Sequence, residues 1–310
     1  MPNVKLQNYL HLHFIVFVWG FTAILGELIS IDALPLVWYR MLMASVFILM
    51  YISFKKISLN ISRRLFFTLF VAGVVIALHW ITFFAAIKAS NVSITLAMMS
   101  TGAFFTSILE PIFYRRKVVG YEVLFGLLVI VGLYVIFQVE GDYFLGILYA
   151  LISAFLSSVF SLINGKIAQQ YNPSMISFYE LLSGVGVITI YLFGVTFLGD
   201  SANGFSLSFF QLSFEDWMYL LLLASVCTAY AFIGSVQVMK YLSPYTVMLT
   251  INLEPVYGIL LAFVFFGESE KMSPQFYYGA LIILGTVVAN GILKNAKKRK
   301  SPTTLHDFTK

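Results

Sequence analysis

Charge is what this sequence has least of. Asp, Glu, Lys and Arg make up 11% of its 310 residues, against about 25% in an average soluble domain, which leaves too little polar surface to cover a water-soluble particle. Cysteine is scarcer still, and the single Cys227 excludes disulfides within the chain and cysteine-based metal sites. Of the four histidines, His11 and His13 stand two apart, a spacing that does not bring side chains together on a helix. No metal site and no cofactor is therefore expected. A phosphate loop, a dinucleotide fingerprint, an HExxH sequence and any paired catalytic motif are all missing, which argues against a membrane-embedded enzyme and against an ATP-driven pump. No segment of alternating polarity suggests an outer-membrane barrel, and the longest stretch between apolar runs, 200–213, is too short for a soluble domain.

What the chain has in abundance is apolar residues: 60% hydrophobic, 17% aromatic, with a mean hydropathy of +0.91. A membrane-crossing helix takes about 20 of these, and the runs predict ten helices: 10–29, 34–54, 65–87, 92–114, 121–139, 144–168, 175–199, 214–238, 245–267 and 275–293. The expected fold is an all-α integral membrane protein. The first run lacks a small-residue cleavage site and reads as a retained helix, not a signal peptide.

Orientation follows from the cations. With ten helices and a cytoplasmic N-terminus, all of the 19 Lys and Arg residues fall on the inner side except Arg40, Lys88 and Lys271, as the positive-inside rule requires. Both termini are then cytoplasmic, and the protein is multi-pass in the cell's inner (plasma) membrane. The basic tail 294–310 is topology signal and lipid contact, not a nucleic-acid site.

The order of residues repeats. Lys88 aligns with Lys240, Gly126 with Gly279 and Gly132 with Gly285, with one residue of gap, and Trp38-Tyr39-Arg40 aligns with Phe178-Tyr179-Glu180. This predicts two five-helix repeats, 1–139 and 140–293, followed by the tail. Because five is odd, the second enters the membrane from the opposite side, giving inverted-topology repeats of the kind that alternate access around a shared midplane site.

The residues also resemble a known family. Trp19-Gly20-Phe21, Trp38-Tyr39-Arg40-Met41-Leu42-Met43-Ala44, His79-Trp80 through Lys88-Ala89-Ser90, Leu253-Glu254-Pro255-Val256 and Phe266-Gly267-Glu268 are similar, in this order, to motifs of the EamA-type transporters of the drug/metabolite transporter superfamily. The resemblance covers nearly the whole chain. It implies a carrier of small metabolites, commonly amino acids or amines. The first repeat departs from the pattern, with Gly102-Ala103 where the second has Glu254-Pro255.

Ionisable side chains inside a bilayer are costly and mark partners or pathways. Counting about 1.5 Å per helical residue, Trp19, His79, Trp80, Ser100, Asn252 and Glu254 fall near the midplane and form the expected substrate site, where Pro255 would break its helix. His79 and Glu254 are the candidates for a coupling proton. Against this stand a histidine that only bonds two helices, tryptophans that only pack, and a carboxylate neutralised by its neighbours. Glu27 with Arg40 is expected to pair as an outer gate and Lys166 with Glu180 as an inner one, unless each pair is static. Arg40 could instead hold a substrate carboxylate through its planar fork. Lys88 and Lys240 read as snorkelling cations, and Gly126, Gly132, Gly184, Gly186, Gly279 and Gly285 as close-packing positions. The sequons Asn60-Ile61-Ser62 and Asn91-Val92-Ser93 carry no weight.

Together these readings predict a secondary active transporter, an exporter of a small polar metabolite, proton-coupled or not and monomer or homodimer. A channel or receptor-like helical bundle is the rival.

Overall fold

Polar residues that punctuate the apolar runs set where helices begin. Ser62 Oγ accepts from the Leu65 amide, Asn91 Oδ1 from Ile94, Asn172 Oδ1 from Ser174 and Ser213 Oγ from Asp216, each satisfying an amide that the first helical turn leaves free. The computed structural model describes residues 4–115, 120–139, 141–200, 204–238, 241–242, 250–251 and 253–300. Its helices are α1 Val4–Leu28, α2 Ala33–Phe54, α3 Arg63–Ala89, α4 Val92–Met99, α5 Gly102–Tyr114, α6 Gly120–Val139, α7 Phe144–Ile167, α8 Pro173–Phe197, α9 Phe214–Ala224, α10 Ala231–Val238, α11 Glu254–Phe266 and α12 Pro274–Lys300. Several begin one or two residues before the apolar run, because the cap and not the first apolar residue marks the start.

Among the described residues seven stretches are long and apolar enough to cross a membrane: α1, α2, α3, the α4–α5 pair, α7 with the turn before it, α8, and the rod in which a π-helical turn, Ser225–Tyr230, joins α9 to α10. Large apolar side chains such as Phe54, Ile190, Phe197 and Val264 face outward, a surface that lipid covers at no cost and water would not. The chain is a multi-pass membrane protein.

Helix contacts bring the two parts of the chain together. α3 lies along α7 and α8, α2 packs on α8 and the α9–α10 rod, α1 on α10 and α11, α4 on α7 and α11, and α6 on α12. The α6–α12 crossing runs through Gly132 and Gly279: a Cβ on Gly132 would stand 3.0 Å from the Gly279 carbonyl, and one on Gly279 2.9 Å from that of Gly132. Gly126 and Gly184 are packed in the same way, against Phe104 and Met41, whereas a Cβ on Gly186 or Gly285 would meet nothing within 4 Å among the described residues.

α5 and α11 each have 13 residues and start 152 positions apart, the same separation as Lys88 and Lys240. A break at Pro255 was expected, and α11 does start at Glu254 with proline in its first turn. The break between α4 and α5 was not expected. No proline lies there, and the Ser100 and Thr101 hydroxyls take the carbonyls of Ala97 and Met98 instead, a local competition that bends apolar helices.

At the end of the bundle carrying Lys88, two carboxylates reach across. Glu270, 4% exposed, accepts from the Val92 and Ser93 amides at the start of α4 (3.0 and 2.8 Å). Asp216 accepts from the amide and hydroxyl of Ser30, both at 2.7 Å.

Candidate functional site

A cavity of about 130 Å³ lies inside the bundle, walled by α1, α2, α3, α4, α7, α10 and α11. Pockets for drug-sized ligands run from about 300 to 1,000 Å³, so this one suits a compact solute. Four of the six residues expected at the midplane line it: Trp19, His79, Trp80 and Glu254. Ser100 does not, since its hydroxyl is turned back on its own helix to the Ala97 carbonyl; Met99 takes that place. Asn252 lies outside the described residues, as does Lys240.

Arg40 dominates the polar wall. It leaves α2 two turns from the Ala33 end, about 10 Å along the axis, and its side chain turns inward and is only 2% exposed. The guanidinium lies 3.8 Å from the centroid of the Trp80 ring. Nε donates to Thr228 Oγ1 at 2.7 Å, and Thr228 in turn donates to the Leu223 carbonyl five residues back, the bond that the π turn permits. Nη1 has no protein partner among the described residues. Glu254 lines the same cavity, yet no ion pair within 4 Å joins it to Arg40. Opposite charges therefore face one small space without neutralising each other by contact.

The expected gate pairs are not formed in this conformation. Arg40 is held by Trp80 and Thr228 and does not meet Glu27, which remains at the helix end where the Lys88 ammonium bonds the carbonyls of Glu27 and Ile29. Lys166 is exposed and donates to the Phe113 carbonyl at 3.0 Å, while Glu180 is fully buried and accepts from Asn164 Nδ2 at 2.8 Å. Similar depth did not mean a common face, because the residues point around their helices in different directions.

His79 bonds α3 to α7 while lining the cavity. Its Nδ1 lies 2.8 Å from Ser153 Oγ and 3.0 Å from the Ser153 carbonyl, and Ser153 Oγ donates to the His79 carbonyl. Trp80 and Phe160 both pack on Phe232, edge-on at 5.9 Å and stacked at 5.6 Å, so the tryptophan packs and lines the cavity at once.

Asn164, Ser157, Ser161 and Thr228 were missed from the sequence. The first three were visible as a polar stripe, since Ser153, Ser157, Ser161 and Asn164 recur every three or four residues along an apolar run and so share one helical face. Thr228 had no signal, because an extra residue in a helical turn leaves no mark in composition.

Comparison with known proteins agrees with this architecture. The model of the EamA-like transporter family matches twice, over residues 9–138 and 144–291, and the chain belongs to that family, whose members are membrane transporters of small molecules. A solved structure titled "Crystal structure of protein" is similar at 16% identity with a TM-score of 0.64, over 94% of this chain and 98% of its own, a likeness of fold. No curated protein matches the chain.

Proposed function

We propose that the protein is a secondary active exporter that moves a small polar metabolite such as an amino acid or amine across the inner membrane by alternating access. The observation that carries this is the central cavity with Arg40 and Glu254 unpaired on its wall. A solute with an anionic and a cationic group bridges them, its carboxylate on the free Nη1 of Arg40 and its ammonium at Glu254, with Trp19 and Trp80 against its carbon skeleton. Asn252 belongs to this site by its place in the sequence.

Ten spans in two inverted five-helix repeats, divided at 139/140 and followed by the tail from 294, give this cavity a place between the halves. The common 13-residue length and 152-residue separation of α5 and α11 support that reading. The cation distribution supports cytoplasmic termini. The Lys88 end is then external, and opening it requires Glu270 to leave the amides of α4 and Asp216 to leave Ser30. Glu27 beside Lys88, and Lys166 and Glu180 at the other end, tune turnover. Glu254 or His79 carries the coupling proton.

Thermal-shift screening of purified protein against amino acids, amines, organic acids and nucleosides identifies the ligand class, and counterflow in proteoliposomes tests carriage. Saturable counterflow abolished by Glu254→Gln fits the proposal; single-channel currents overturn it.

A further inference from the structure

A second and larger cavity, about 480 Å³, lies at the opposite end of the bundle from Lys88, between the start of α3 and the ends of α5 and α7. Its polar wall carries Arg64, Lys166 and Ser62; its apolar wall includes Leu65, Phe113 and Ile167. No carboxylate is among its described lining residues. Two cations therefore face one space with nothing of opposite sign among the described residues of its wall. Lys166 spends one of its three donors on the Phe113 carbonyl, and Ser62, whose oxygen caps α3, keeps its hydroxyl proton to donate.

Position selects the ligand. Arg64 stands immediately before the apolar stretch that begins at Leu65, and Lys166 is next to last in α7, so both cations lie where the hydrocarbon meets the headgroups. The same turns of α3 present Phe66, Phe67 and Phe70 outward, a track for an acyl chain beside a pocket for its headgroup. Basic pockets between membrane helices take anionic lipid headgroups. We propose that this cavity binds the phosphate of an anionic phospholipid, with Arg64 and Lys166 as its clamp. Since Arg64 is on α3 and Lys166 on α7, the bound lipid links two helices that pack on each other and steadies this end of the bundle. The proposal rests on the membrane-spanning fold and not on the transport reading.

Native mass spectrometry of the full chain tests it with three probes: phosphatidylglycerol, phosphatidylcholine and glycerol 3-phosphate. The wild type is expected to hold phosphatidylglycerol about 25-fold more tightly than phosphatidylcholine, because each of the two interfacial cations contributes about a factor of five. The double substitution Arg64→Gln with Lys166→Gln removes that preference. Lys271→Gln, at the other end of the bundle, retains it. Equal binding of the two lipids, or an equal loss in the Lys271 variant, overturns the site. Glycerol 3-phosphate bound as tightly as phosphatidylglycerol overturns the lipid assignment in favour of a free phosphate ester. Should the double variant not fold, Lys166→Gln alone is expected to lose about half of the preference on a logarithmic scale; a full preference there is also an overturning result.

Discussion

The guanidinium of Arg40 lies over the Trp80 ring, 3.8 Å from its centroid, and Thr228 Oγ1 holds its Nε at 2.7 Å. These two contacts orient the fork and leave Nη1 without a hydrogen-bond partner among the described residues. Lysine offers a point charge with neither the fork nor the stacking plane. Arg40→Lys is therefore expected to weaken binding of a carboxylate ligand by about 1.5 to 3 kcal/mol, the worth of a hydrogen bond to a charged group. Isothermal titration with whichever ligand stabilises the wild type measures this, and unchanged affinity would remove Arg40 from the site.

Glu180 and Asn164 make a buried couple whose amide donor needs an acceptor. Glu180→Gln keeps an oxygen for Asn164 Nδ2 and is expected to shift stability by less than about 1 kcal/mol. Glu180→Ala strands the donor and should cost about 1 to 3 kcal/mol. Thermal melts of the two variants in detergent separate these outcomes; similar losses in both would mean that the charge of Glu180 matters more than its bond.

Glu270 carries two amides on one carboxylate. Replacing it with alanine is expected to release them, so that hydrogen exchange at Val92 and Ser93 rises about tenfold or more, as a loss of about 1.5 to 3 kcal/mol implies. The neighbouring Lys271–Glu268 pair, 3.1 Å apart with side chains 62% and 82% exposed, serves as control. Exposed pairs contribute little, and Lys271→Ala should leave the same amides as protected as before.

Gly73 lies under the carbonyl of Glu180 and the side chain of Ser183, where a Cβ has no room, while Gly186 has open space around it. Gly73→Ala is expected to cost about 1 to 3 kcal/mol by forcing α3 from α8. Gly186→Ala should be neutral or stabilising by up to about 1 kcal/mol, since alanine favours the helix. Equal melting temperatures for the pair would contradict the close crossing.

Membrane character and many helix starts were legible because both are properties of a one-dimensional pattern: runs of apolar residues and the polar caps between them. A residue count along each helix named Trp19, His79, Trp80 and Glu254 together, and all four line the one cavity. Azimuth was not legible. Arg40 and Glu27 are at comparable depths but project to different neighbours, as do Lys166 and Glu180, and Ser100 sits at the right height on the wrong face. The roles of Glu270 and Asp216 were hidden for another reason: their partners are backbone amides and a serine far along the chain, which no local spacing reveals.

The π-helical turn Ser225–Tyr230 holds one residue more than an α-helix would use. An added residue advances the phase of everything after it by about 100°, so the insertion sets the helix face from which Phe232, Ser235 and Val236 line the cavity. A chain shortened by one residue there would regain a regular helix and rotate this wall toward its neighbours, taking Thr228 from Arg40 in the same movement. The length of this one turn, together with the Thr228 hydroxyl it carries, keeps the cavity's polar wall assembled.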